Sequence, residues 1–471
     1  MSTPSAVDTL SPATKLGRSV GPAAPHLFLA LHCENPLAPA SRHSLAQVEA
    51  VTIGRSTERS SERREEGGKR LLALAVQDPW MSGKHARLSR TPAGWLLEDA
   101  GSRNGTLVNG TLRQSALLSD GDTFELGHTF FVFREAVPVA GDRLDVDASQ
   151  LEPAAPGLAT LSGRLTSEFE RLKLIAPAAV SVVIAGESGS GKELAARAIH
   201  QLSGRTGAFV PVNCGAIPGT LVETELFGYR RGAFTGASED RPGLVRAADR
   251  GTLFLDEVAD LPLPGQAALL RALQESEVLP VGGTKAIKVD LRLIAATHRD
   301  LKSLVQRGDF RADLYARIGG FTLTLPPLRG RREDLGIVLA AVLRKVAPDR
   351  CGRIQLSCEA ARLLFRYGWP LNMRELEKSL SAAVALAPDG VIEPEHLPDD
   401  VRAEPASPAP AAPQPPTGQL SEEEVRRRDE LAALMREHRG NIAAVARSLG
   451  KARMQVQRWL KRFGMEPGSF R

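Results

Sequence analysis

The residues GESGSGKE, positions 186 to 193, follow an apolar run, SVVIAG, and precede a helical pattern, ELAARAIH. Strand, Gly-rich turn and helix in that order make a cradle for nucleotide phosphates. Gly186, Gly189 and Gly191 let backbone N–H groups approach the phosphates, with Glu187, Ser188 and Ser190 completing the loop. The helix N-terminus adds positive potential. Lys192 is placed to reach the β- and γ-phosphates, so the expected ligand is ATP. Glu193 stands where such loops carry a Ser or Thr for Mg²⁺. Further along, the strand-like GTLFLDE ends in Asp256 and Glu257. Asp256 is placed to order Mg²⁺, directly or through water, and Glu257 to polarise an attacking water. Together these two motifs point to ATP hydrolysis.

Between them lies LFGYRRGAFTGA, residues 226 to 237. Gly232 and Gly236 permit backbone shapes that residues with a Cβ resist. Ala233, Phe234, Thr235 and Ala237 complete a loop tipped by an apolar wedge and a hydroxyl. This hexapeptide, set between the two ATP motifs, resembles closely the AAA+ activators of the sigma-54 form of bacterial RNA polymerase. The resemblance implies that the loop grips sigma-54 and that a hexameric ring of subunits opens the promoter. It also explains Glu193, which is usual in that family. Asn213, in FVPVNCGAI, matches an Asn that can hold Glu257 inactive. FRADLYARI matches a segment carrying two arginines, Arg311 and Arg317, presented to a neighbour's γ-phosphate. WPLNMREL matches a lid motif whose Arg374 senses nucleotide, although Leu371 replaces a Gly. The sensor strand ends in Thr297 and His298 where the family has Thr and Asn, and Tyr229 replaces a common His. An imidazole is bulkier than an amide and titrates near neutral pH, so turnover is expected to survive with altered pH sensitivity.

Strands and helices alternate from about 158 to 400, which predicts an α/β P-loop ATPase with a parallel sheet and a helical lid from about 330. Residues 26 to 136 show short apolar runs such as HLFLAL and FFVF between turn residues, which predicts an all-β sandwich. The charged residues 57 to 70 read as a loop, 1 to 25 as disordered and 137 to 157 as a linker. IGRS (53–56), MSGKHARL (81–88) and GSRNGTLVNG (101–110) resemble a forkhead-associated (FHA) domain. That resemblance implies a phosphothreonine site formed by Arg55, Ser82, Lys84, Arg103 and Asn104, with His85 as a structural brace. The implied partner is a phosphothreonine protein or its Ser/Thr kinase.

The net charge is +5, and nine Lys or Arg fall between Arg436 and Arg471. After a Pro-rich tether (401–420), the segment 421 to 471 reads as an all-α helix-turn-helix. Val456, Leu460 and Phe463 share one face, while Arg453, Gln455, Gln457, Arg458 and Lys461 are assigned to DNA contact. It resembles the Fis-type domain that ends these activators, so enhancer DNA is an implied partner. Four cysteines without metal or disulfide spacing suit a reducing compartment, and no run reaches membrane-spanning length, so a cytoplasmic, nucleoid-associated protein is expected. Two other readings stay open: another AAA+ remodeller, or a DNA-bound phosphopeptide scaffold or repressor with weak ATPase activity.

Overall fold

The structure, a computed structural model, describes residues 23–138, 143–235 and 237–403, then 422–438 with 441, 444, 445, 448 and 449. Gly236 and the residues assigned to DNA, Arg453, Gln455, Gln457, Arg458 and Lys461, lie outside them. The chain divides into two compact units, Met1–Arg402 and Ala403–Arg471.

The ATPase core is a five-stranded parallel sheet in the order Phe209–Asn213, Thr252–Asp256, Arg292–Thr297, Val182–Ala185, Phe321–Thr324. Its inner strands are apolar on both faces because helices cover both, as the alternation of elements predicts. Parallel pairing places all strand C-termini at one edge. There Asn213 aligns with Asp256, and Ala185 with Thr297. The phosphate loop leaves the sheet at this edge and enters the helix Lys192–Leu202.

The N-terminal domain is a sandwich of a seven-stranded and a six-stranded sheet. Its core includes Leu27, Leu29, Val51, Leu72, Trp95, Phe124, Phe131 and Phe133. Residues 57 to 70 are not a loop. Most of them form a hairpin, Ser60–Glu66 paired antiparallel with Lys69–Val76, turned by Gly67 (φ 59°) and Gly68 (φ 77°). Two successive positive φ values suit a tight hairpin turn. The outer strand carries no alternating apolar signal because it is an exposed edge, where charges discourage pairing with other chains. The segment read as a linker is also partly structured. Asp145–Asp147 adds an edge strand beside Ser41–Ser44, and Arg63 clamps Asp145 at 2.6 Å. Burial raises the Asp145 carboxyl, but His43 and Arg63 outweigh it and bring its pKa down to about 2. The first strand begins at Ala23, within the stretch read as disordered.

The runs HLFLAL and FFVF lack polar alternation, and the fold explains why. In the paired strands Ala23–His32 and Thr129–Pro138, Leu27, Leu29, Phe131 and Phe133 face the sandwich core. Phe28, Ala30, Phe130 and Val132 face the opposite way, into a core shared with the lid helices Leu335–Val346, Cys358–Arg366 and Asn372–Leu386. Phe130 stacks on Phe365 with centroids 5.0 Å apart, and Arg134 and Arg362 pair with Glu333 (2.6 Å) and Glu125 (2.7 Å) across the junction. Cys33 and Cys358 meet there as free thiols, Sγ to Sγ 4.0 Å. The second unit, taken by itself, contains the helix Glu422–Glu437, and Asn441 caps the next turn by accepting from the Ala444 N–H at 3.3 Å.

Gly336 is the second residue of the first lid helix, and a Cβ built on it would stand 1.8 Å from the carbonyl oxygen of Ala30. Gly336→Ala is therefore expected to part the sandwich from the lid. Hydrogen exchange should speed up in Thr129–Pro138 and Leu335–Val346 while the sandwich core stays protected. Unchanged protection on both sides would contradict this junction.

Candidate active site

At the sheet's C-terminal edge, Lys192 is almost fully buried and its Nζ donates to the carbonyls of Gly186 (3.0 Å) and Glu187 (3.2 Å) and to Glu257 Oε1 (3.3 Å). Gly189 (φ 71°) and Gly191 (φ 103°) hold the left-handed turns of the loop. The Ser190 hydroxyl is buried without a hydrogen-bond partner. A buried ammonium, an orphaned hydroxyl and a helix N-terminus around a Gly-lined turn fit a phosphate group. Glu193 turns outward and pairs with Arg197 at 2.6 Å.

Asp256 and Glu257 lie beside this loop. Burial first, then the neighbouring Glu257 charge, raises the Asp256 pKa. For Glu257, burial pushes upward, but hydrogen bonds from His298 and the charge of Lys192 lower the pKa below the ordinary value. Glu257 sits at φ 52°, a strained region for a residue with a side chain. Its restraint comes from an unexpected residue. Asn213 does not hold Glu257; its Oδ1 accepts from the Gly215 N–H (3.0 Å) and caps a short turn. His298 takes the role instead, with Nδ1 2.7 Å and backbone N 3.3 Å from Glu257 Oε2. The Thr297 hydroxyl accepts from the Arg299 N–H at 2.9 Å. Among the described residues no group of three or more His, Cys, Asp or Glu side chains could hold a metal by itself. Mg²⁺ binds through one or two carboxylates together with substrate phosphates, so Asp256 beside the loop remains compatible with it.

Besides Arg374, the lid grips the loop through residues that the sequence did not single out. Arg329 makes a fork to Glu187 (2.8 and 2.5 Å) and lowers that carboxyl's pKa. Asn372 donates to Glu187 (3.2 Å) and to the Ser188 carbonyl (2.9 Å). Arg331 reaches the Ser190 carbonyl, and Met373 N–H donates to Gly189 O. Arg374 comes within 3.5 Å of Ser188 Oγ. Leu371 fits in place of Gly because its φ is −103°; the left-handed position is taken by Asn372 at φ 52°. The charged run RGRRED was the available signal, but without a motif it reads as a solvated turn. Arg311 and Arg317 bond to Asp313 and to the Leu273 carbonyl, not to the phosphate loop.

The Phe-Thr loop rises from the pair Gly228–Tyr229 and Arg241–Pro242. It leans on a second loop: Val281 exchanges backbone hydrogen bonds with Gly228 and Arg230, and Gly282 faces Ala233. Gly232 N–H donates to Ala237 O, leaving Phe234 (44% accessible) and Thr235 exposed. Tyr229 meets Phe234 edge-on at 4.9 Å.

In the sandwich, Arg55 is exposed at the end of the strand Ala50–Arg55, and Lys84, Arg103 and Asn104 are exposed on loops. Ser82 Oγ accepts from the Arg103 N–H at 3.0 Å, and Asn104 donates to the Trp80 carbonyl at 2.7 Å. His85 is buried and braces these loops: it accepts from Ser82 N–H at Nδ1, so Nε2 donates to Gly105 O.

Parts of this chain are similar to known proteins. Residues 158–324 match the Sigma-54 interaction domain family, 329–414 the AAA+ ATPase lid domain and 51–127 the FHA domain. The response regulator protein PilR of Pseudomonas aeruginosa is 45% identical over 295 residues, spanning 60% of this chain and 64% of PilR. The regulatory protein AtoC of Escherichia coli is 42% identical over 298 residues, spanning 62% of this chain and 64% of AtoC. A Nif-specific regulatory protein of Azospirillum brasilense is 42% identical over 292 residues, 62% of this chain and 45% of that protein. The chain thus spans less than two thirds of each of these relatives. A crystal structure of NtrX from Brucella abortus in complex with ATP aligns with TM-score 0.48 and 31% identity, covering 67% of this chain and 71% of that one. The chain therefore holds a Sigma-54 interaction domain followed by an AAA+ ATPase lid domain, with an FHA domain before them.

Burial opposes ionisation of Glu257, but the His298 hydrogen bonds and the Lys192 charge outweigh it and hold the carboxyl below its ordinary pKa. Removing the ring with His298→Ala is therefore expected to raise that pKa and to move the acid limb of the ATPase pH profile toward higher pH. Coincident acid limbs for the two proteins would contradict it.

Proposed function

We propose that this protein is an ATP-driven transcription activator that remodels the sigma-54 form of RNA polymerase from closed to open promoter complexes. The observation that carries the reading is the convergence of Lys192, Asp256, Glu257 and His298 at the strand ends, in a chain that also holds a supported loop exposing Phe234 and Thr235. ATP is the substrate, held by residues 186 to 193 with Arg374 from the lid. A Mg²⁺ ion beside Asp256 would neutralise phosphate charge. Glu257 orients the attacking water once released from His298. Arg311 and Arg317 act on the nucleotide of a neighbouring subunit in a hexameric ring, in keeping with their lack of bonds to their own phosphate loop. Gly232 to Ala237 engage sigma-54, and Arg453, Gln455, Gln457, Arg458 and Lys461 bind enhancer DNA.

The FHA domain supplies the signal. A phosphothreonine protein binds Arg55, Ser82, Lys84, Arg103 and Asn104 through charge-assisted hydrogen bonds. The route from there to ATP is supported by the shared core: Arg134 of the sandwich grips Glu333, four residues from Arg329, which grips the phosphate loop. Peptide capture shifts the ATP site by the difference in affinity between the two lid positions, and favours ring assembly.

Lys192→Ala should weaken nucleotide binding by about tenfold or more, from the loss of charged hydrogen bonds, and abolish promoter opening. Thr235→Ala should keep most ATPase activity yet fail to open a sigma-54 promoter in a reconstituted assay. Normal open complexes from Thr235→Ala would overturn the loop's role.

A further inference from the structure

A cleft of about 460 Å³ lies between the FHA loops and the lid. It starts at the proposed phosphothreonine site, since Asn104 and Trp80 form its rim and Asn104 bonds to the Trp80 carbonyl. The two ends differ sharply in charge. The phosphate end presents Arg55, Lys84 and Arg103. The cleft presents Glu34 and Glu125 from the sandwich and Glu359 and Glu393 from the lid, against one guanidinium, Arg362. Arg362 is already occupied by Glu125 at 2.7 Å and Glu359 at 3.2 Å. Trp80 is 49% accessible, is stacked on His128 at 4.7 Å, and is fixed by its indole N–H to Glu34 at 2.6 Å. Glu34 also meets His128 Nδ1 at 3.2 Å, yet the cleft still sets four carboxylates against one guanidinium. A fixed, half-exposed indole in such a cleft is suited to a cationic side chain, by ion pairing and by cation–π contact.

We propose that this cleft is the second half of the peptide site, and that it takes Lys or Arg residues flanking the phosphothreonine. This rests on the phosphothreonine reading of the FHA domain. The ligand is then dipolar, a phosphate at one end and basic side chains at the other. It touches two domains at once, the sandwich through Arg55 and Ser82 and the lid through Glu359 and Glu393. A phosphopeptide lacking basic flanks would fill only the sandwich half.

The test uses the full chain and five synthetic peptides, measured by fluorescence anisotropy: a phosphothreonine peptide with neutral flanks, one with two Arg before the phosphothreonine, one with two Arg after it, and an unphosphorylated copy of each basic peptide as a control. One of the two basic phosphopeptides should bind about tenfold tighter than the neutral one, with the advantage shrinking as salt rises. The double variant Glu359→Gln, Glu393→Gln should erase that advantage while leaving the neutral phosphopeptide unchanged. Arg55→Ala should weaken all phosphopeptides alike. If neither basic phosphopeptide gains, or if the lid variant leaves the gain intact, the cleft assignment is wrong, although phosphate-dependent binding lost in Arg55→Ala would keep the FHA reading. If phosphorylation makes no difference to any peptide, the FHA reading itself fails, and the proposal with it.

Discussion

The seven residues from Leu328 to Asp334 are held from three sides, and the arrangement of the ATPase depends on that grip. Arg329 forks onto Glu187 of the phosphate loop, and Arg331 reaches the Ser190 carbonyl beneath it. Glu333 is nearly buried and is claimed by Arg134 of the sandwich, which also donates to the Gly330 carbonyl. Asp334 accepts from the Thr160 hydroxyl (2.6 Å) and the Leu161 N–H (2.7 Å), and Arg42 of the sandwich in turn donates to the Leu161 carbonyl. Removing one partner of a buried ion pair costs about 3–5 kcal/mol, because the other charge is left unpaired. A shift of this segment therefore has to re-pair several charges together, which favours two discrete positions over a gradual drift.

Chemistry gathers at the strand ends because the sheet is parallel. Loops leaving Ala185, Asn213, Asp256 and Thr297 all emerge at one edge, and the strained backbone of Glu257 turns its carboxylate toward Lys192 and His298. In this chain the Glu257 carboxylate is held by the His298 ring, while Asn213 caps its own turn.

Much of the ATP site was legible in the sequence because phosphate binding demands glycines, a lysine and a strand end at fixed offsets. The sandwich was legible from its turn residues and loop motifs. The hairpin at 60 to 76 was not, because an exposed edge strand needs no apolar alternation. Nor was the union of sandwich and lid, although it left a trace. HLFLAL and FFVF are apolar at every position but one, a pattern that requires burial on both faces and so a second layer against the sheet. Contacts such as Arg134 to Glu333 join residues 199 positions apart, and no local pattern encodes them.

The proposed coupling of the FHA domain to the ATP site is tested most directly through reciprocity. If peptide capture shifts the lid, nucleotide must shift peptide affinity by the same factor. The dissociation constant of a phosphothreonine peptide should be measured on the full chain with and without a saturating non-hydrolysable ATP analogue. A change of at least about fivefold is predicted, matched by an equal change in nucleotide affinity when peptide is saturating. Identical peptide affinities with and without nucleotide, in a protein that binds both, would contradict a coupled sensor and ATPase.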